Sequence, residues 1–210
     1  TRFGEGLEDM DIYGILAEYS VYHTPDYVYI KGKGELIFED DPDSVINLSC
    51  LKQGIGLAGE DVGKVRIRKN SGIKKILTIE NLTTFFRWQE KDCLMIYLGG
   101  YHNSVRRKLL ELLYQDFPKA EYLHFGDIDV GGFEIYRDLC RKTGIPFKTY
   151  HMGIEELEKY EAYTQELTEN DRKRLAALIQ KAESEGKDIR VLLYMKEKGR
   201  KLEQEGIRQV

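Results

Sequence analysis

Residues 122–136 read YLHFGDIDVGGFEIY. An apolar run, Tyr122 to Phe125, leads into two aspartates one residue apart, Asp127 and Asp129. A glycine pair, Gly131 and Gly132, then opens a segment with helical spacing. Alternate residues of an extended chain share a face, so the spacing points both aspartates the same way. At about 5 Å and an effective dielectric of ~20, two such carboxylates repel by on the order of 3 kcal/mol. The pair is therefore either solvated and inert or gathered around something positive.

The neighbouring sequence decides where that pair sits. IKKILTIE (73–80), CLMIYLGG (93–100), AEYLHFGDID (120–129) and PFKTYHMG (146–153) are short apolar runs. They alternate with the helical patterns NLTTFFRWQEK (81–91), NSVRRKLLELLYQDF (103–117) and GGFEIYRDLCRKTG (131–144). Strands alternating with helices of this length predict βαβ units around a parallel sheet, and near-continuous apolar strands predict helices on both faces. Residues 1–70 read as a smaller β-rich region. DYVYIKGKGELIF (26–38) suggests a hairpin turning at KGKG, and a short helix is expected over Asp11 to Tyr19. After residue 154 the chain reads as helical. TENDRKRLAALIQKAESEG (168–186) opens on a capping signal, Thr168 with Asp171 three residues on. The expected organisation is thus a β-rich region over 1–70 and a Rossmann-like α/β domain with C-terminal helices over 71–210.

Parallel strands end on one edge, and ligands bind outside it. The first strand of the parallel set ends at Glu80, the second at Gly99 and Gly100, and the third at Gly126, Asp127, Ile128 and Asp129. Three carboxylates from two strands converge there. Such a group suits Mg2+, which takes carboxylate and water oxygens and bridges to phosphate. Gly131 and Gly132 leave room for a phosphate or backbone to approach, beside a helix N-terminus favourable to an anion. Other readings of the aspartates stay open. One is an EF-hand-like loop from Asp127 to Asp138, against which stand the glycine at its fifth position and the strand before it. Another is a haloacid-phosphatase D-x-D, whose partner signals are missing. The plainest is helix capping, which accounts for one aspartate but not for the second together with the glycine pair and Glu80.

The bulk properties narrow the partners. A formal net charge of −4 gives no global basic footprint, so affinity for nucleic acid must come from a local patch and is expected to be weak and salt-sensitive. No apolar run reaches membrane-spanning length and no leader pattern opens the chain. Cys50, Cys93 and Cys140 are far apart, without a CxxC pair, which points to a reducing, cytoplasmic compartment rather than a zinc site. The first residue is Thr rather than Met, which suggests a processed or truncated piece.

ILTIEN (76–81) and HFGDIDVGGFEIY (124–136) together resemble the Toprim domain, the metal-binding catalytic fold of topoisomerases, primases and related nucleases. TIENLTTF and GDIDVGGFEI are similar to the topoisomerase VI A subunit, and most of all to the C-terminal region of the JetD family, the nuclease subunits of Wadjet anti-plasmid systems. LGGYHNSVRRKLL (98–110) and LEQEGI (202–207) carry the same likeness, which spans roughly residues 25–210. The resemblance implies Glu80 as a metal ligand or general acid/base, Asp127 and Asp129 as Mg2+ (or Mn2+) ligands, and Asn81 as a residue that orients Glu80. Glu203 and Glu205 are candidates for a second metal or for contacts behind the ligands, against a solvated terminal helix face. Gly100, Ser104, Arg106 and Arg107, with Gly99, are candidates for the DNA backbone, against an ordinary capped helix with leucines in the core. No tyrosine stands in a recognisable nucleophile context. The resemblance thus implies hydrolytic endonuclease cleavage of double-stranded plasmid DNA alongside SMC-type Wadjet subunits, with a homodimer as a further expectation and with little activity in the isolated piece. The alternatives are a topoisomerase VI A-like cleavage subunit and a non-catalytic DNA-binding or scaffold module.

Overall fold

The structure is a computed structural model that describes residues 25–208 together with residues 16 and 18–21. The helix expected over Asp11 to Tyr19 falls largely outside the described residues. The strands are β1 Tyr27–Gly32, β2 Glu35–Phe38, β3 Val45–Asn47, β4 Ile55–Ala58, β5 Val65–Ile67, β6 Lys75–Ile79, β7 Cys93–Tyr97, β8 Glu121–Phe125, β9 Lys148–Thr149, β10 Gln165–Glu166 and β11 Arg200–Lys201. The helices are α1 Leu82–Arg87, α2 Ser104–Asp116, α3 Val130–Thr143, α4 Ile154–Lys159, α5 Glu169–Ser184 and α6 Arg190–Lys198.

The main sheet has six strands in the order β4-β1-β7-β6-β8-β9. The parallel sheet expected from the βαβ pattern is present as β7-β6-β8-β9. The expectation of an all-parallel sheet is corrected at one edge, where β1 runs antiparallel to both β7 and β4. Strands from the first seventy residues thus extend the same sheet, while β3-β2-β5 forms a separate antiparallel sheet.

Period-two alternation splits the core between the two faces. Leu77, Ile79, Met95, Leu123 and Phe125 pack under Leu175, Leu178, Leu192 and Met195 of α5 and α6. Ile76, Leu94, Ile96 and Tyr122 pack under Leu109, Leu110 and Leu113 of α2 and Leu139 of α3. Burial on both faces is why these strands read as continuous apolar runs.

Three local expectations change. KGKG is not a hairpin turn: β1 pairs with β4 and β7, and β2 pairs with β3 and β5. Gly32 at φ +100° and Gly34 at φ +147° instead pass the chain from one sheet to the other. A Cβ on Gly32 would lie 2.4 Å from the Cys93 carbonyl oxygen, which accepts from the Lys33 amide at 2.7 Å. The strand expected over 146–153 shortens to two residues, because Pro146 has no amide to donate and the chain turns at His151, φ +52°. The segment after α6 is not a helix. Leu202 bridges to Ile128, and Gln204–Gly206 makes one 3-10 turn. The Thr168–Asp171 capping box forms as expected, with reciprocal bonds of 3.0 and 3.1 Å.

Gly32→Ala should cost about 2–3 kcal/mol, through a disfavoured φ and a clash with backbone. Urea unfolding of the purified chain measures this. A loss under about 0.5 kcal/mol would show that the close approach to Cys93 is not needed.

Candidate metal centre

Glu80, Asp127 and Asp129 all stand just past the carboxyl ends of β6 and β8, as the strand pattern predicts. The Glu80 amide donates to the Phe125 carbonyl at 3.0 Å, carrying the β6–β8 ladder one step beyond the strands. Its side chain turns inward. The Asp127 amide hydrogen-bonds to the carboxyl, while Oε2 is buried with no partner. Burial, and next the charges of Asp127, Asp129 and Glu203, push the Glu80 carboxyl up to about 8. Asp127 is pushed up to about 6 by burial and by Glu203, Asp129 and Glu205, against the lowering effect of a hydrogen bond from the Gln204 amide.

Both aspartates also hold backbone amides. Asp127 Oδ1 accepts from Gln204 N at 2.7 Å. Asp129 is the N-cap of α3, and its Oδ1 accepts from Gly132 N at 2.7 Å. The capping role weighed for one aspartate is therefore present at Asp129. Among the described residues, no group of three His, Cys, Asp or Glu side chains is arranged to hold a metal ion as it stands. The donor chemistry nevertheless fits a hard divalent cation. Several carboxylates crowd one edge, and one of them keeps a buried oxygen that nothing satisfies, which is costly unless a proton or a cation is near. Joint use of all three requires Asp127 and Asp129 to offer their other oxygens or to turn from these amides.

The other candidates take definite places. Glu203 lies close enough to raise both Glu80 and Asp127, and Glu205 accepts from Asn81 Nδ2 at 2.8 Å. Asn81 caps α1, its Oδ1 accepting from Thr84 N at 2.9 Å, so its side chain is engaged away from Glu80. The space beside Gly132 is filled by its own chain: a Cβ there would fall 2.2 Å from the Asp127 carbonyl oxygen. Gly131 is half-buried, with Asp129 Oδ1 3.3 Å from its Cβ position. In the loop before α2, Gly99 is exposed and Gly100 half-buried at φ +74°, and Asn103 caps the helix with Ser104 exposed at its start. Arg106 turns inward, its guanidinium 5.7 Å over the Tyr97 ring and 3.4 Å from the Tyr27 carbonyl. Arg107 is half-buried.

Two residues that close this edge escaped the sequence reading. Gln204 is fully buried. Its Oε1 accepts from Asn81 N at 2.8 Å and its Nε2 donates to the Phe125 carbonyl at 2.8 Å. One amide thus joins the ends of β6 and β8 to the C-terminal turn. The only signal for it was the pair of apolar residues flanking LEQEGI, Leu202 and Ile207, both buried. Arg174 of α5 pairs with Glu134 and feels the charge of Asp129, placing a cation beside the acidic edge. Nothing in the helical pattern of residues 168–186 marked it.

The fold and the site together define an α/β domain whose parallel strands deliver crowded, partly buried carboxylates to one edge. The chain belongs to the family described as Wadjet protein JetD, C-terminal, whose model matches residues 40–210. It is also 27% identical over 157 residues to Wadjet protein JetD of Bacillus cereus (strain Q1), a match covering 73% of this chain and 37% of that protein. The chain thus spans little more than a third of the length of the relative it matches.

Two outcomes follow from this geometry. Glu80 and Asp127 bind protons more tightly in the folded chain than in the unfolded one, so their protons favour folding below pH about 4, and that contribution is lost as pH rises through about 8. In EDTA, the wild type should lose stability relative to Glu80→Gln between pH about 5 and 8, and added Mg2+ should restore the wild type alone. Thermal melting across pH measures this, and a pH-independent difference refutes the assigned crowding. Gln204→Leu leaves Asn81 N without its partner and takes one of the two bonds from the Phe125 carbonyl, and should cost roughly 1–3 kcal/mol. Denaturant unfolding tests it, and near-neutral behaviour would deny the amide its closing role.

Proposed function

We propose that this domain is the Toprim-type, Mg2+-dependent (or Mn2+-dependent) endonuclease module of a Wadjet defence protein. Its reaction is hydrolysis of phosphodiester bonds in double-stranded plasmid DNA, in the cytoplasm and alongside SMC-type subunits. The observation that carries this reading is the buried, unpartnered Glu80 oxygen crowded by Asp127, Asp129 and Glu203 at the carboxyl edge of parallel strands, in a chain of the JetD C-terminal family. Among the described residues no helix is long and apolar enough to cross a membrane.

Glu80, Asp127 and Asp129 would hold the cation, with Glu203 within electrostatic reach. The cation, when bound, supplies charge stabilisation at the scissile phosphate and lowers the pKa of a bound water. The chain's own part is to fix the ligands. The β6–β8 ladder sets the Glu80 backbone, and the amides of Gln204 and Gly132 set the planes of Asp127 and Asp129. Glu80, raised to about 8, is the group suited to hold or release a proton near neutral pH. Half-buried Gly100 and exposed Ser104 would offer backbone and hydroxyl groups to a phosphate, and Arg174 adds positive charge. The amide-bound aspartates favour a second reading, a module that keeps the fold for DNA binding or scaffolding without chemistry.

The test uses supercoiled plasmid, the full-length protein and its partner subunits. Glu80→Ala and Asp127→Ala should each slow cutting by on the order of 100-fold, and EDTA should abolish it. Cutting unchanged in both variants would remove the site assignment and favour the scaffold reading. A covalent protein–DNA adduct would instead favour the topoisomerase VI A-like alternative.

A further inference from the structure

Beside Glu80, across Gly126, lies a buried polar group that the proposed reaction leaves unused. His124 is the one strongly polar side chain within the apolar run Tyr122–Phe125, and it is fully buried. Its Nδ1 lies 2.9 Å from Thr78 Oγ1, and the same hydroxyl donates to the Leu123 carbonyl at 3.2 Å. A hydroxyl has one proton to give. With that proton on the Leu123 carbonyl, Nδ1 carries the ring proton and donates to Thr78. Nε2 is then left with its lone pair, and it is buried without a partner. The Tyr136 ring stacks on the imidazole at 6.0 Å and 25°, fixing its plane.

The Nε2 atom faces the same point as the unpartnered oxygen of Glu80. An ideal Cβ on Gly126 would lie 2.7 Å from Glu80 Oε2 and 2.9 Å from His124 Nε2, with Met152 Cε closing the far side at 3.6 Å. Two buried polar atoms flank one glycine, yet they make no hydrogen bond to each other. Distances of 2.7 and 2.9 Å from one point cap their separation at 5.6 Å, within the reach of a single bridging water. Only glycine at 126 allows both side chains so close.

Resting on the endonuclease reading above, we propose that His124 is a positioning residue: its Nε2 lone pair, fixed by Thr78, holds the inner oxygen of Glu80 through one bridging water and so sets the plane in which that carboxyl meets a divalent cation. Groups behind a metal ligand commonly govern its orientation, and their loss lowers metal affinity by roughly 10–100-fold. The geometry makes a position-specific demand. A replacement must present an acceptor where Nε2 stands, so Gln, whose amide ends near that atom, should serve. Asn, which ends near Nδ1, should not.

The experiment is Mn2+ binding to the metal-free chain by calorimetry, with the melting temperature of each metal-free variant recorded alongside. His124→Phe, which keeps ring volume and the stack on Tyr136, and His124→Asn should weaken binding about tenfold or more, while His124→Gln stays within about threefold of wild type. Thr78→Val, which removes the acceptor that fixes the tautomer, should weaken binding in the same direction and serves where the His124 variants fail to fold. Wild-type affinity in a folded His124→Phe or Thr78→Val chain overturns the inference. Equal weakening in His124→Gln and His124→Asn also overturns it, since that marks a packing role. Glu80→Ala is the separate control. If it binds Mn2+ like the wild type, the metal reading itself falls and the inference with it. If it loses binding while His124→Phe does not, only the inference falls.

Discussion

The buried amide of Gln204 holds the carboxyl edge of the sheet closed. Past the bond from the Glu80 amide to the Phe125 carbonyl the parallel ladder of β6 and β8 ends, and the next backbone groups would face either water or an unsatisfied interior. Gln204 supplies both halves of the remedy, accepting from Asn81 N and donating to the Phe125 carbonyl, while its own amide goes to Asp127. Arg87 then clamps the turn from outside, donating to the carbonyls of Glu205 at 2.8 Å and Ile207 at 2.7 Å. The C-terminal turn is thereby part of the site rather than a tail beside it, which is how Glu203 comes within reach of Glu80 and Asp127.

Closing that edge creates the electrostatic problem that defines the site. Every group that buries Glu80 also removes the water that would solvate its charge. Asp127 gains one amide bond but faces Glu203, Asp129 and Glu205. Without a cation the crowding favours holding protons, in line with the raised Glu80 and Asp127 carboxyls. A divalent cation at the proposed site would answer the same problem without protonation. The two solutions would then compete for a single set of carboxylates, linking proton and cation affinity.

The apolar runs ending at Glu80 and Asp127 were legible because burial on both faces leaves an uninterrupted hydrophobic signature, and chain direction then places their ends together. Partners were not legible. The β1 run announces a strand, but its pairing with Cys93–Tyr97 depends on Gly32 meeting a carbonyl some sixty residues away, and alternation cannot show that. Gln204 was hidden for a similar reason: a glutamine between two glutamates in a polar tail has no period, and its burial arises from contacts more than seventy residues distant in sequence. His124 was visible only as a polar interruption in an apolar strand, a sign of a buried hydrogen bond whose partner, Thr78, sits on the neighbouring strand.

The cap at Asp129 and the amide on Asp127 are each compatible with the proposed metal-ligand role. An ionised carboxylate offers about four lone-pair positions on two oxygens. An amide bond to Oδ1 therefore uses part of its capacity, while fixing the plane in which Oδ2 points. Gly132 is required for this at Asp129, because its close approach to the Asp127 carbonyl brings the capped amide within 2.7 Å of Oδ1. A ligand held in this way loses less rotamer freedom on binding a cation than a freely rotating one. The amide contacts that occupy one oxygen of each aspartate are thus the same contacts that would orient the other oxygen toward a cation.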